Sequence, residues 1–159
     1  MYLLSAKRGK MYILIFLMII LADQASKIWA LSELGAEPLY LTDWFNLALT
    51  YNKGISFSFL SSDSAYMPFI LAGVALLIVI FMYLWFIKER NFLIRIGLTF
   101  VMAGAVSNVI DRLYLGFVVD FIDWHIKNWH WPAFNLADSF ICTGIFLMMI
   151  QFIFEKKGN

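Results

Sequence analysis

Charged side chains are scarce in this chain of 159 residues, at 14% of the total, whereas a soluble domain carries about 25%. Hydrophobic residues make up 62%, and the mean hydropathy is +0.79. A soluble globule of this length cannot bury so much apolar surface. The composition therefore excludes a soluble enzyme, a nucleic-acid-binding protein and a disordered chain. It indicates a small polytopic membrane protein.

Cysteine and several common catalytic patterns are also missing. Cys142 is the single cysteine, which excludes an internal disulfide and a thiolate zinc cluster. The sequence has no Gly-rich phosphate loop and no His-Glu-x-x-His pattern, and its serines lack a suitably placed Lys or His. The net charge of +1 provides no global field for an acidic partner. Any chemistry must therefore use the few remaining polar residues.

Four apolar segments are long enough to cross a bilayer core of about 30 Å, which takes roughly 20 helical residues. They predict helices at about 11–31, 67–87, 96–112 and 135–154. No clear small-x-small cleavage site follows the first segment, so we expect a retained helix rather than a removable signal peptide. The predicted fold is one integral membrane domain over 1–159, all-α, with four transmembrane helices and a small β-containing lobe on the outer face.

The distribution of charge predicts the orientation of these helices. With both termini in the cytoplasm, the inner flanks hold eight of the twelve basic residues, and nine of the eleven acids lie outside, as the positive-inside rule expects. Residues 32–66 then form an outer lobe whose apolar and β-branched runs, including 55–60, are broken by Pro38, Asp43, Asn52 and Gly54. Residues 113–132 form an outer loop with three tryptophans, which suit the headgroup level.

Acidic residues cluster where the third and fourth helices are predicted to reach the outer surface. If the outer loop folds back, Asp120 and Asp138 can meet there and share a proton, so that one activates water and the other polarises a carbonyl. The alternative for Asp138 is an ordinary helix start, with Asn135 as the N-cap. For Asp123 we expect a solvated loop acid.

The remaining polar residues allow both functional and structural interpretations. Asn108, Asp111 and Arg112 share one helix face, either as a polar wall of a site or as a polar helix end. Asp23 and Lys27 have i, i+4 spacing and predict a structural ion pair. Asn52 and Gly54 fit a plain turn. His125 and His130 lack a third ligand at helical spacing, so we interpret them as interfacial residues rather than a metal site.

Five motifs in this order resemble the bacterial lipoprotein signal peptidase family (signal peptidase II), and together they span most of the chain. They lie at residues 23–27, 51–58, 103–112, 118–123 and 134–139. Two departures are small-for-small changes: Ala103 and Ser107 stand where the family usually has Gly, and Ser56 stands where it often has Ala. These changes affect helix packing at most.

The resemblance implies an aspartic endopeptidase of the bacterial cytoplasmic (inner) membrane, with its active site near the outer face. Its substrates would be prolipoproteins carrying diacylglycerol, cut just before the lipidated cysteine. Asp120 and Asp138 match the catalytic pair. The resemblance also assigns substrate-binding or supporting roles to Asn52, Asn108, Arg112 and Asn135, and structural roles to Asp23, Lys27, Gly54 and Asp111.

The resemblance further implies that the enzyme needs no metal and no cofactor. We expect a monomer whose partners are its lipidated substrates and membrane lipids, with no nucleic acid. One alternative function is a small transporter or proton-relay protein that uses the same acids. Another is a structural membrane scaffold, which would need no pair of acids.

Overall fold

The structure is a computed structural model that describes residues 2–54 and 66–157, with side chains described for 8–54 and 66–154. The apolar run expected at 55–60, and Ser56 within it, lie outside the described residues. The elements in chain order are α1 (Tyr2–Glu33), β1 (Leu39–Thr42), β2 (Phe45–Asn52), α2 (Met67–Lys88), α3 (Phe92–Tyr114), β3 (Val118–Ile126), β4 (Trp129–His130) and α4 (Leu136–Lys157).

All four helices are long and apolar enough to cross a membrane. The predicted segments find these helices, but α1, α3 and α4 extend beyond the predicted bounds. The third helix shows this most clearly, because it begins at Phe92 rather than at about 96. Asn91 caps it by accepting hydrogen bonds from the backbone N–H groups of Leu93 and Ile94, an arrangement that satisfies orphan donors at a helix start.

Helix α3 is the central helix, because it packs against α1, α2 and α4. Its buried face carries both apolar residues, such as Leu98 and Met102, and polar ones, such as Asn108 and Asp111. Helix α2, in contrast, is largely exposed apolar surface, with Phe69, Leu77 and Phe81 each more than half exposed. Exposed apolar surface on this scale suits a lipid environment and would be unfavourable in water.

The ends of three helices meet the sheet at one end of the bundle, which we call the sheet end. Helices α1 and α3 run in the same direction, because Tyr12 lies by Arg95 while Gln24 bonds Ser107. Helix α4 runs the opposite way, so its first turn lies at the end of α3. A cluster of Ala30, Leu34 and Phe121 packs the end of α1 against β3.

The segment at 113–132 is not the loop that the sequence suggests, because it contains β3 and β4. The four strands form one antiparallel sheet in the order β1-β2-β3-β4. Strand β2 pairs with β3 so that Asn46 lies opposite Asp123 and Thr50 lies opposite Asp120. The pairing partner of β3 is some 70 residues earlier in the chain, so no local pattern indicates it.

Glycines allow α3 and α4 to approach closely. A Cβ atom added at Gly144 would lie 2.5 Å from the carbonyl oxygen of Gly97, and one added at Gly104 would lie 2.5 Å from that of Ala137. Both contacts are with backbone, which cannot rotate away as a side chain can. Small residues at such positions are typical of packed transmembrane helices. This contact places the first turn of α4 against α3.

We predict that Gly144→Ala destabilises the protein by about 1–3 kcal/mol, because the added methyl group overpacks the contact between α3 and α4. Thermal unfolding of the purified protein measures the effect. Gly73→Ala is the matched control, because nothing lies within 4 Å of a Cβ there and alanine favours helix by about 1 kcal/mol. Equal melting temperatures for both variants would contradict the close approach.

Candidate active site

A buried lysine lies at the centre of the polar contacts at the sheet end. The Lys27 ammonium lies 2.7 Å from Asp23 Oδ2 and 2.8 Å from Asp111 Oδ2. It also donates to Asn108 Oδ1 at 2.9 Å. Lys27 is 2% exposed and Asp23 is fully buried, so the cation is balanced inside the protein rather than by water. The i, i+4 pair expected on α1 is therefore confirmed, with Asp111 as a second acidic partner.

The two carboxylates that hold Lys27 also bind the backbone of neighbouring elements. Asp23 Oδ1 accepts from the N–H of Ala137 at 2.7 Å, and Asp111 Oδ2 accepts from the N–H of Val119 at 3.2 Å. Charge-assisted hydrogen bonds of this kind are stronger than neutral ones. They tie α4 and β3 to the buried ion pairs. Sequence reasoning does not single out Gln24, which donates to Asp111 Oδ1 at 2.8 Å.

Two asparagines connect Lys27 to the acids of the predicted catalytic pair. Asn108 accepts from Lys27 through Oδ1 and donates through Nδ2 to Asp138 Oδ1 at 2.8 Å. Asn135 Nδ2 lies 2.7 Å from Asp120 Oδ1 and 3.2 Å from Asn108 Oδ1. An amide both donates and accepts, so these side chains join the charged groups without adding charge of their own.

Asp120 lies in β3 and is 1% exposed. One of its oxygens accepts from Asn52 Nδ2 at 2.9 Å and the other from Asn135 at 2.7 Å. Burial raises the pKa of the Asp120 carboxyl to about 7; the two amide hydrogen bonds oppose this rise, and the nearby charge of Asp138 adds to it. Asp120 is therefore an acid that exchanges its proton near neutral pH.

Asp138 is half-buried in the first turn of α4. Both interpretations that the sequence allows for it, a residue of the helix start and a residue of the polar site, fit its contacts. Asn135 caps the helix, since its Oδ1 accepts from the N–H of Asp138 at 2.9 Å. Asp138 Oδ2 accepts in return from the N–H of Asn135 at 3.4 Å, as in a capping box. The same Asp138 carboxyl accepts from Asn108, so a helix-start role and a position in a polar site are compatible here.

The turn after β2 closes the polar cluster on its other side. Asn52 Oδ1 accepts from the N–H of Gly54 at 3.1 Å, which is the predicted turn. Arg112 donates through Nη2 to Gly54 O at 3.3 Å and through Nη1 to Asn108 O at 3.4 Å. All ten residues that the sequence analysis assigned to the site or its support therefore lie together at the sheet end.

An apolar groove opens beside Asp138. Its volume is about 600 Å³. Tryptophan and phenylalanine rings from the β3–α4 segment form one wall, and the first turns of α4 form the other. The lining residues are Trp124, Trp131, Pro132, Ala133, Phe134, Asp138, Ser139, Ile141 and Cys142. A carboxyl at the edge of an apolar groove is the arrangement expected where an apolar chain is bound and a polar bond is attacked.

Asp123 is not the solvated loop acid that the sequence suggests. It lies in β3, is 7% exposed, and lies 2.9 Å from His130 Nδ1. His125 lies nearby, and one ligand atom from each of the three residues falls within 4.8 Å of the others. A search for metal ligands three or four residues apart, as on a helix, does not find this cluster. Asp123 and His125 are two residues apart on a strand, and residues at that spacing share a strand face.

Comparison with known proteins identifies the family. A model of signal peptidase (SPase) II matches residues 15–154. The chain belongs to the signal peptidase II family and is therefore an aspartic endopeptidase. The two alternative functions, a transporter or proton-relay protein and a structural scaffold, are therefore not supported.

Similar proteins extend over almost the whole chain. A lipoprotein signal peptidase of Dichelobacter nodosus is 38% identical over 146 residues, covering 91% of this chain and 94% of that protein. One from Coxiella burnetii is 35% identical over 158 residues, covering 98% and 97%. A solved bacterial membrane enzyme superposes with a TM-score of 0.84 at 27% identity, covering 94% of this chain and 92% of the other.

We predict that Lys27→Met destabilises the protein by about 3–5 kcal/mol, because it leaves two buried carboxylates without their cation. Unfolding by heat or denaturant in detergent measures the loss. Lys53→Met is the matched control, because Lys53 is exposed and exposed charges contribute little. If both variants unfolded at the same temperature, Lys27 would not have the central role assigned to it.

Proposed function

We propose that the chain removes signal peptides from prolipoproteins that carry diacylglycerol, cutting before the lipidated cysteine, with Asp120 and Asp138 as the catalytic pair. One observation carries the residue assignment. The carboxyls of two acids from different elements, β3 and α4, are both bonded to Asn135: Asp120 accepts from its Nδ2, and Asp138 accepts from its backbone N–H. Membership of an aspartic peptidase family supplies the reaction class.

The raised pKa of Asp120 suggests how the two acids divide the work. At neutral pH the Asp120 carboxyl can hold a proton and donate it to the carbonyl oxygen of the scissile bond. Asp138, as the carboxylate, takes a proton from water as the water oxygen attacks the carbonyl carbon. As the C–N bond breaks, Asp138 gives that proton to the leaving amine and the Asp120 carboxylate takes back a proton from a hydroxyl of the tetrahedral intermediate, which restores both acids. This division follows the rule that neighbouring carboxyls in different environments take opposite roles.

The surrounding amides and cations then have supporting roles. Asn52 and Asn135 orient Asp120, and Asn108 orients Asp138. Arg112 carries an additional donor for substrate or for the turn at Gly54. Asp23, Lys27 and Asp111 hold the elements on which these groups lie. No step of this scheme uses a metal or a cofactor.

The apolar groove beside Asp138 supports a substrate that arrives within the bilayer. An apolar signal segment or an acyl chain loses little by entering such a groove from lipid, whereas a soluble peptide would be poorly held. We propose that the sheet end faces the outer side of the bacterial inner membrane, with both termini in the cytoplasm. The charge distribution along the chain supports this orientation. We further propose a monomer in contact with membrane lipids.

We predict that Asp120→Asn and Asp138→Asn each lower kcat for prolipoprotein cleavage by at least roughly 10²–10⁴-fold, the usual contribution of an acid or base. Cleavage of a diacylglyceryl-modified prolipoprotein by the purified chain measures it. Asp43→Asn is the matched control, since Asp43 is an exposed acid of the β1–β2 turn. Both active-site variants should still unfold cooperatively. Cooperative unfolding would show that the variants are folded and that the substitution removes activity alone. Near-normal cleavage by either variant would rule out the pair.

The raised pKa of Asp120 also predicts a pH profile. Since Asp120 acts in its protonated form, kcat/KM should fall above about pH 7, approaching tenfold per pH unit. Asn52→Leu removes an amide hydrogen bond that opposes the rise in pKa, so the falling limb should move to higher pH in that variant. A profile that stays flat between mildly acidic and alkaline pH would show that Asp120 does not act as the acid.

A further inference from the structure

Four polar side chains from three neighbouring strands meet on the side of the sheet opposite Asp120. Asn46 on β2 lies opposite Asp123 on β3, and His130 on β4 lies opposite His125 on β3. Asp123 and His125 are two residues apart and share a strand face, while Asp120, three residues before Asp123, belongs to the other face. We call Asp123, His125 and His130 the Asp-His-His cluster. The proposed cleavage mechanism does not use it.

The spacing within the Asp-His-His cluster is close to that of a zinc site. His130 Nδ1 lies 2.9 Å from Asp123 Oδ1, and His125 Nδ1 lies 3.8 Å from Asp123 Oδ2. One ligand atom from each residue lies within 4.8 Å of the others. Tetrahedral Zn²⁺ with bonds of about 2.0–2.1 Å requires ligand atoms roughly 3.3 Å apart. Side-chain rotations that replace the hydrogen bond between His130 Nδ1 and Asp123 would bring the three atoms around one ion.

The two imidazoles are stacked against each other. Their centroids are 4.9 Å apart and their planes differ by 18°. A neutral imidazole has a free lone pair, which is the form that binds a metal. His130 is about half exposed and His125 is largely buried, so an ion can enter from the surface.

A buried side-chain amide lies beside the Asp-His-His cluster. Asn46 is 1% exposed, and its Nδ2 lies 3.4 Å from both Asp123 Oδ2 and His125 Nδ1. Its Oδ1 is buried and has no hydrogen-bond partner among the described residues. A half-satisfied buried amide costs free energy. Turning the amide over would place Oδ1 next to the cluster, where its lone pair could bind a cation as a fourth ligand.

We propose that Asp123, His125 and His130 bind Zn²⁺, with Asn46 or water completing a four-coordinate site. Two imidazole nitrogens beside one carboxylate favour Zn²⁺ over Mg²⁺ and Ca²⁺, which prefer oxygen ligands. The ion would clamp β4 to β3. Since Trp131 follows β4 and its N–H bonds Trp124 O at 2.7 Å, the clamp would steady the segment that forms one wall of the groove. The site is structural and lies apart from Asp120 and Asp138.

The test is calorimetric titration of ZnCl₂ into the full chain in detergent, after removal of any polyhistidine tag. The chain has two histidines, so the background from other imidazoles is nil. We expect one saturable ion per chain, with His125→Gln and His130→Gln each weakening binding by at least roughly tenfold. Glu37→Gln is the control, because Glu37 is an exposed acid outside the cluster. Co²⁺ in place of Zn²⁺ should give the visible absorption of a tetrahedral site.

Thermal unfolding separates binding from loss of fold. At the same zinc concentration, the melting temperature of the native chain and of Glu37→Gln should rise by more than that of His130→Gln. His130 is the safest position to change because its side chain is half exposed. The absence of saturable binding at millimolar zinc would overturn the proposal. Equal binding by the native chain and by the variant with both histidines replaced by glutamine would also overturn it.

Discussion

The burial of Lys27 is the constraint on which the rest of the sheet end depends. A charged ammonium inside a membrane protein is expensive unless opposite charge and hydrogen bonds surround it. Asp23 supplies one partner from the same helix, and Asp111 supplies the other from α3. The alignment of α1 and α3 is therefore fixed by charge as well as by packing. The same two carboxylates also hold the backbone N–H groups of Ala137 and Val119, Asp23 through its other oxygen and Asp111 through the oxygen that binds Lys27.

The elements that carry the two catalytic candidates are positioned by these contacts. Val119 immediately precedes Asp120 and Ala137 immediately precedes Asp138, so each acid is next to an anchored N–H group. Neutral asparagines separate the acids from the Lys27 cation. This separation matters because a nearer positive charge would lower the pKa of Asp120 and favour its ionised form. The arrangement keeps an acid protonated near neutral pH inside a site that also contains a cation.

Local sequence patterns predict the features that depend on local physics. The apolar segments predict four helices, i, i+4 spacing predicts the Asp23–Lys27 pair, and the Asn135–Asp138 spacing predicts the start of α4. The pairing of β2 with β3 was not predictable, because it joins residues far apart in the chain. For this reason the sequence pattern predicts a solvated loop acid at Asp123 and does not place the two histidines beside it, and the structure differs on both points.

Family resemblance supplied what spacing alone left open, namely which of several acids form a pair. The structure adds the bonds between those residues, including Asn135 as both N-cap of α4 and hydrogen-bond donor to Asp120. A side chain with two such functions has no signature in a single sequence. The sequence does not indicate the groove beside Asp138 either, because its walls come from segments that pack together only in the folded chain.

The proposed division of roles depends on the buried Asp120 carboxyl, which holds a proton near neutral pH. Infrared spectroscopy of the purified chain as a function of pH measures this directly through the carbonyl stretch of a protonated carboxylic acid. We expect a band that disappears as the pH passes through about 7 and that is absent in Asp120→Asn. A spectrum in which Asp120 is already ionised at mildly acidic pH, with no change near neutrality, would contradict it.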